Sequence, residues 1–355
     1  LLSITTAKNS EHPPKPGLIT FSIHSGDEAM TGTLSRRDAL CTLGSTLVAA
    51  AGSFRLPLAE AAAPKPARLI DTHVHVVDSR LPGGLEKSLP LAPFEKGDSE
   101  GPKLLIRRIE EQARKAGVAQ ALCMPRFQVS DRDPLGIQET LALKKRVRGV
   151  KLHPVGLAHP ERFDRDHLAR VEAVLEEGHV KALKAYLGYL HHEPYSPGYR
   201  KYFELATKYK VPVIFHCGDT YSRTAKLKYA HPLKIDEIAV DYPETRFVLA
   251  HFGNPWLLDA AQVMYKNKNV WADLSAILIG DAAAYETMEK EGVLERAIKR
   301  VKEAIEYSEA PERFLFGSDW PLNDMSAYRD FVRRLFPTEQ HAAVFSASAR
   351  ELYGL

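Results

Sequence analysis

From residue 64 onward, short unbroken apolar runs alternate with longer stretches in which apolar residues return every three or four positions. Runs such as Val211-Pro-Val-Ile-Phe and Arg246-Phe-Val-Leu-Ala suit parallel strands buried on both faces, and the longer period marks amphipathic helices. Strands are expected at 68–74, 118–124, 149–153, 180–185, 211–216, 246–251, 270–274 and 313–317. Residues 164–177 place Leu168, Val171, Val174 and Leu175 on one helical face behind an Asp164 cap, with Gly178 as the stop. Residues 199–209, 234–240, 256–265, 281–308, 327–335 and 338–353 read as helices in the same way. Eight strands alternating with helices predict an α/β fold, a distorted (β/α)8 TIM barrel forming a single domain over 64–355. A doubly wound open sheet is the alternative. The lack of a G-x-G-x-x-G loop after the first strand weighs against its dinucleotide-binding form.

The first 63 residues break this rhythm. Residues 1–29 are polar and contain proline without a periodic apolar face, so disorder or an over-extended gene start is expected there, with Met30 as the initiator. Residues 30–63 read as a twin-arginine-type signal: Arg36-Arg37, an apolar run over 39–52, then small residues at A-x-A spacing near 59–63. That run is short and rich in small residues, which argues against a lasting membrane anchor. The mature domain is therefore expected in the periplasm or outside the cell, with no stable anchor once the signal is removed. Cys41 falls inside the signal and follows Leu40, where a lipid-modified cysteine prefers a small neighbour. Cys123 and Cys217 sit in apolar runs and are expected as buried free thiols.

Composition adds limits more than direction. The chain has 355 residues, 45% hydrophobic and 26% charged, the profile of an ordinary globular protein. Its 48 basic and 45 acidic residues leave a net charge of +3 and are scattered, so no nucleic-acid partner is indicated. A small-molecule substrate is the expected partner. Self-association is left open.

In a barrel of this kind, chemistry gathers where the strands end at their C-termini. The first strand ends in His73 and His75, two apart and so on one face. Strict alternation would put Asp71 on that face as well. The fourth strand offers Lys184 and Tyr186, the fifth ends in His216, the sixth in His251, and the eighth run leads into Asp319. A single strand-end histidine is more often a satisfied rim residue. Five such groups at one barrel mouth point instead to a divalent cation held by imidazole and carboxylate, with an open position for water.

The segments Asp71-Thr-His-Val-His75, Pro212-Val-Ile-Phe-His216, Phe247-Val-Leu-Ala-His-Phe-Gly-Asn254 and Phe314-Leu-Phe-Gly-Ser-Asp-Trp-Pro321 together resemble the amidohydrolase superfamily. The branch is the amidohydrolase-related one that includes aminocarboxymuconate-semialdehyde decarboxylase. The closing Ser348-Ala-Arg-Glu-Leu-Tyr-Gly-Leu355 is similar to that family's terminal helix, with serine near the position where asparagine is common. The resemblance spans about 67–355. It implies a metal bound by His73, His75, His216 and Asp319, with Asp319 also helping to deprotonate water and His251 as general base or electrostatic stabiliser. The implied ion is Zn2+ first, with Mn2+, Fe2+ or Co2+ as alternatives, and one metal rather than two. The expected activity is hydrolysis of an amide, lactone or similar carbonyl compound. Nonoxidative decarboxylation of an unsaturated or aromatic acid is the first alternative, and a non-enzymatic metal-binding barrel the second.

Substrate contacts are expected from Lys184, Tyr186, Arg223 and Trp256, with Asp219, Thr220, Tyr221 and Asn254 nearby. Lys151-Leu-His153-Pro looks like a fourth-strand motif of the family, but a helix and a further strand intervene before His216, so the fourth strand is assigned to Lys184. Asp273 is expected to brace a ligand. His191, His192 and Glu193 read as a solvated loop, and His159, His167, His179 and His231 as surface histidines.

Overall fold

The computed structural model describes residues 18–25, 28–35, 68–76 and 101–355, which fall in two units, Leu1–Pro64 and Lys65–Leu355. In the first, β1 (Leu18–Ser25) and β2 (Glu28–Ser35) pair antiparallel, from Leu18 opposite Ser35 to Ser25 opposite Glu28. The first of these strands lies within the stretch before residue 30. In sequence, Ile19, Phe21 and Ile23 alternate with Thr20, Ser22 and His24, and Gly-Asp stands at 26–27 between the two runs, which together are hairpin signals. The arginine pair and apolar run at 36–63 lie outside the described residues. Among the described residues no helix is long and apolar enough to cross a membrane.

The second unit is a parallel barrel. Its strands are β3 (Leu69–Val74), β4 (Val118–Cys123), β5 (Lys151–Pro154), β6 (Gly156–Leu157), β7 (Leu183–Ala185), β8 (Val213–Phe215), β9 (Phe247–Leu249), β10 (Val270–Asp273) and β11 (Phe314–Leu315). All eight expected strands are present, in the expected order. β5 and β6 are one barrel strand interrupted at Val155: the first half pairs with β4, the second with β7. The peptide units of Val155 and Gly156 carry the changeover, donating to Cys123 O at 3.0 Å and Ala182 O at 2.9 Å. Closure comes from β3 against the chain beyond β11. Thr72 N donates to Phe316 O (2.9 Å), Asp319 N to His73 O (2.8 Å) and His75 N to Trp320 O (2.7 Å).

Every barrel strand contributes to one inner cluster: Ile70, Leu122, Val155, Ala182, Ile214, Val248, Trp271 and Leu315. Ala349, Leu352 and Tyr353 of the terminal helix (Ser348–Tyr353) complete it. Each fully buried aliphatic side chain contributes about 1.5–3 kcal/mol, so this cluster is a substantial source of the barrel's stability. Val74 belongs to the outer cluster although it has the same parity as Ile70. The pairing register of β3 shifts between Asp71 and Val74, and this shift moves His73 and His75 to the inner face. Strict alternation from Asp71 therefore does not hold.

The helices match the expected pattern with informative exceptions. Asp164 caps Arg165–Glu176 by accepting from His167 N at 2.9 Å. The stretch expected as one helix over 281–308 is two, Ala282–Lys290 and Val293–Ser308, because Gly292 takes a left-handed backbone (φ 68°) that ends the first. The stretch expected over 338–353 begins as a 3-10 turn and widens to a π-helix at Ala343–Ala347, which leaves the Val344 carbonyl to accept from Phe316 N at 3.0 Å. His167, expected at the surface, is fully buried with Nε2 3.1 Å from Tyr202 Oη. Cys123 and Cys217 are buried free thiols, as expected.

Candidate metal centre

Parallel strands end together, so side chains that close them meet. His73 and His75 end β3, His216 follows β8, His251 lies two residues past β9, Asp273 ends β10, and Asp319 lies four past β11. Gly317 lets the last of these approach: a Cβ there would stand 2.9 Å from His73 Cβ. Non-glycine residues with left-handed backbone gather at the same ends, namely His251 (φ 60°), Phe252 (45°), Ala276 (47°) and Asp319 (58°). Each costs about 1–3 kcal/mol and persists only where its surroundings hold it.

The hydrogen bonds at the back of each ring settle which nitrogen faces the centre. His216 Nε2 lies 2.9 Å from the Asp219 carbonyl, which can only accept, so Nε2 carries the proton and Nδ1 the lone pair. His251 Nδ1 lies 3.2 Å from the Ser275 carbonyl and is protonated for the same reason, leaving the lone pair on Nε2. Those two lone pairs face each other at 3.2 Å. His73 Nδ1 donates to Asp273 Oδ2 at 2.9 Å, which turns the Nε2 lone pair toward Asp319 Oδ1 at 3.5 Å. His75 Nε2 is 3.2 Å from the same oxygen, and Oδ1 is buried without a hydrogen-bond partner.

Acceptors pressed against acceptors in a buried site are unfavourable unless a cation lies between them. His73, His75 and Asp319 place their ligand atoms within 4.8 Å of one another, and so do His73, His251 and Asp273. The donor set of imidazoles and one orphaned carboxylate oxygen therefore fits a borderline divalent ion.

The electrostatics agree with that fit. Burial, with Lys184 adding to it, pushes His73 down to about 4. Burial likewise pushes His216 and His251 below the ordinary imidazole value. Neutral rings are the form that binds metal. Burial alone would raise Asp319 and Asp273. The histidines around each outweigh it and hold both carboxyls below the usual range.

Lys184 is fully buried on the inner face shared with Ala182, and its Nζ has no hydrogen-bond partner. Burial brings its amine down to about 8, and the group lies 5.3 Å from the Tyr186 ring centre. It is not among the residues that line the pocket. Tyr186 does line the pocket, with Phe127, Tyr189, Tyr221, Ile279 and Leu322, around His75, His216, His251 and Asp319. Phe127 stacks on Tyr186 at 4.1 Å, and Tyr189 meets the His216 ring edge-on at 4.8 Å.

Other expected contacts fall elsewhere. Arg223 is exposed and Trp256 packs against the His231 ring at 4.7 Å, and neither lines the pocket. Asp219 and Asn254 do line it, while Thr220 does not. His191, His192 and Glu193 bond to Thr224 O, Glu161 and Lys234 respectively, outside the pocket. Lys151 is exposed and His153 bonds Gln120 at 2.8 Å, so the Lys-Leu-His-Pro segment is not part of the site. Phe127, Tyr189 and Ser275 were not anticipated; the spacing Asp273-Leu-Ser275 repeats that of His73-Val-His75 and was the available signal for the serine.

Asp71 ties two ligand-bearing segments together. Its Oδ1 accepts from His73 N (3.1 Å) and Ser318 N (2.9 Å), and its Oδ2 is buried without a partner. Burial pushes the carboxyl up to about 7 against those hydrogen bonds. A carboxyl raised on folding holds its proton more tightly in the native state, so its contribution is full below the ordinary value of 3.8 and is lost as pH rises through about 7. Asp71→Asn keeps the acceptor and cannot ionise. In urea unfolding of metal-free protein, the wild-type midpoint should fall between about pH 4 and about pH 8 more than the variant's. Equal slopes would show that Asp71 is ionised throughout.

The family model described as Amidohydrolase matches residues 70–355. No curated protein matches the chain in sequence. Among solved structures, the chain resembles 5-carboxyvanillate decarboxylase from Sphingomonas paucimobilis (TM-score 0.55, 13% identity, 81% of this chain and 99% of that one). It also resembles an amidohydrolase from Burkholderia multivorans with bound zinc (0.54, 12%, 81% and 100%). A third is 5-carboxyvanillate decarboxylase from Novosphingobium aromaticivorans, complexed with manganese and 4-hydroxy-3-methoxy-5-nitrobenzoic acid (0.53, 13%, 81% and 96%). At these identities the likeness concerns the fold.

Proposed function

The chain belongs to the amidohydrolase family, and from that premise we propose a metal-dependent hydrolase that cleaves an amide, lactone or similar carbonyl group on a planar, ring-bearing substrate. The observation that carries this reading is the His251 ring, whose Nδ1–H is held by Ser275 and whose Nε2 lone pair faces the centre beside the unpartnered Asp319 Oδ1. His73, His75, His216 and Asp319 would hold the ion, zinc or manganese by the precedent of the fold relatives. When bound, a divalent ion supplies Lewis-acid polarisation of the carbonyl and makes water more acidic.

The chain's own residues do the rest. His251 Nε2 takes a proton from water as the oxygen attacks the carbonyl carbon, and returns it to the departing nitrogen or oxygen. Nδ1 stays bonded to Ser275, so the ring keeps its aim. Phe127, Tyr186 and Tyr189 present flat surfaces that orient a ring and exclude water. Arg36-Arg37 and the apolar run after them support export of the folded, metal-loaded protein.

That aromatic lining favours a second reading, nonoxidative decarboxylation, in which an aromatic acid loses carbon dioxide and gains a proton on the same carbon. The two decarboxylases that share the fold support it. A panel of aryl amides, lactones and aromatic acids, followed by acid release and by carbon dioxide detection, separates the readings. Acid release without carbon dioxide is expected. Carbon dioxide from an aromatic acid, with no hydrolysis, would replace the first reading by the second.

A further inference from the structure

A serine hydroxyl joins the two sides of the site. Ser275 lies two residues beyond Asp273 at the end of β10 and is fully buried. Its Oγ donates to Asp273 Oδ1, and its backbone N donates to the same oxygen at 3.1 Å. A hydroxyl has one proton to give and two lone pairs with which to accept. With its proton committed to Asp273, Oγ can only accept from the imidazoles beside it, His251 Nδ1 at 2.8 Å and His73 Nδ1 at 3.1 Å.

Asp273 could not align both rings unaided. Its Oδ2 reaches the His73 ring at 2.9 Å, but its Oδ1 meets His251 only at the backbone N, at 3.0 Å. The path from this carboxylate to the His251 ring passes through Ser275. Ser275 also supplies the other acceptor within reach of His251 Nδ1, its own carbonyl at 3.2 Å. The two rings are 4.9 Å apart between centres and tilted by 37°, so neither is held by stacking on the other.

We propose that Ser275 is a positioning residue whose hydroxyl fixes the tilt of His73 and His251 together, aiming both Nε2 lone pairs at one point. The proposal rests on the reading above only in taking that point as the place of a divalent ion. Its consequence is coupling: one hydroxyl, bonded to a carboxylate, governs a ring expected to bind metal and a ring expected to move a proton. Partners of this kind behind metal-binding histidines typically carry about 10–100-fold in metal affinity.

The test uses the full protein and Ser275→Ala, read by zinc affinity in chelator competition and by 15N imidazole NMR of histidine-labelled protein. In metal-free wild type, His73 and His251 should show a proton on Nδ1 and none on Nε2. In Ser275→Ala the carbonyl of residue 275 still accepts from His251 Nδ1, so the tautomer should hold while the His251 and His73 ring signals shift and broaden, and the zinc dissociation constant should rise about 10–100-fold. Unchanged zinc affinity together with unchanged His251 ring signals would overturn the proposal. Finding wild-type His251 protonated on Nε2 would overturn it without recourse to any variant. Wild-type protein that shows the Nδ1–H forms and binds no zinc would support the role of Ser275 and remove the metal reading, so the two fail separately.

Discussion

Replacing His251 by asparagine is expected to lower turnover by about 10²–10⁴-fold while leaving the bound metal in place. The reason lies in the ring's two ends. Nδ1 is committed to Ser275, which leaves Nε2 as the atom able to take a proton, and asparagine offers no basic nitrogen there. The backbone at this position already sits at φ 60°, a conformation asparagine tolerates better than most residues, so the fold should survive. Turnover and metal content measured on one preparation decide the matter. Loss of metal along with activity would make His251 a ligand instead of a base, a role its 3.2 Å approach to His216 Nδ1 makes worth separating.

The second large effect is expected from His73→Ala. His73 is 1% exposed, and it links the two halves of the site: Nδ1 to Asp273 Oδ2, Nε2 toward Asp319. Removing it takes away one inward lone pair and strips Asp273 Oδ2 of its ring partner. Leaving a buried carboxylate oxygen without that hydrogen-bond partner costs about 1–3 kcal/mol, a sizeable part of a domain's stability. The variant should therefore lose bound metal and melt several degrees lower. His75→Ala should lose metal with a smaller fall in melting temperature, since His75 is less buried and, among the described residues, its ring has no counterpart to the His73–Asp273 bond.

The barrel was legible because its strands are buried on both faces and so appear as continuous apolar runs, β8 and β9 among them. His73, His75, His216, His251 and Asp319 were legible for a related reason: each interrupts or closes such a run, and parallel strands bring their ends together. The aromatic wall was only partly legible. Tyr186 directly follows a strand, but Phe127 and Tyr189 come from connections whose course is not set by periodicity. Arg223 and Trp256 do not line the pocket, because nearness in sequence to His216 and His251 does not fix direction once the chain leaves the barrel. The register shift in β3 was hidden too, since a change of phase inside an all-buried strand leaves no polar residue to mark it.

The claim on which the account turns is that the acceptor atoms of His73, His75, His216 and Asp319 surround a divalent ion. Elemental analysis of purified wild type beside His73→Ala tests it most directly. The expected result is about one divalent ion, zinc or manganese, per wild-type chain and close to none in the variant. A wild-type protein that turns over substrate with no bound metal, or a variant that keeps the wild-type amount, would contradict it.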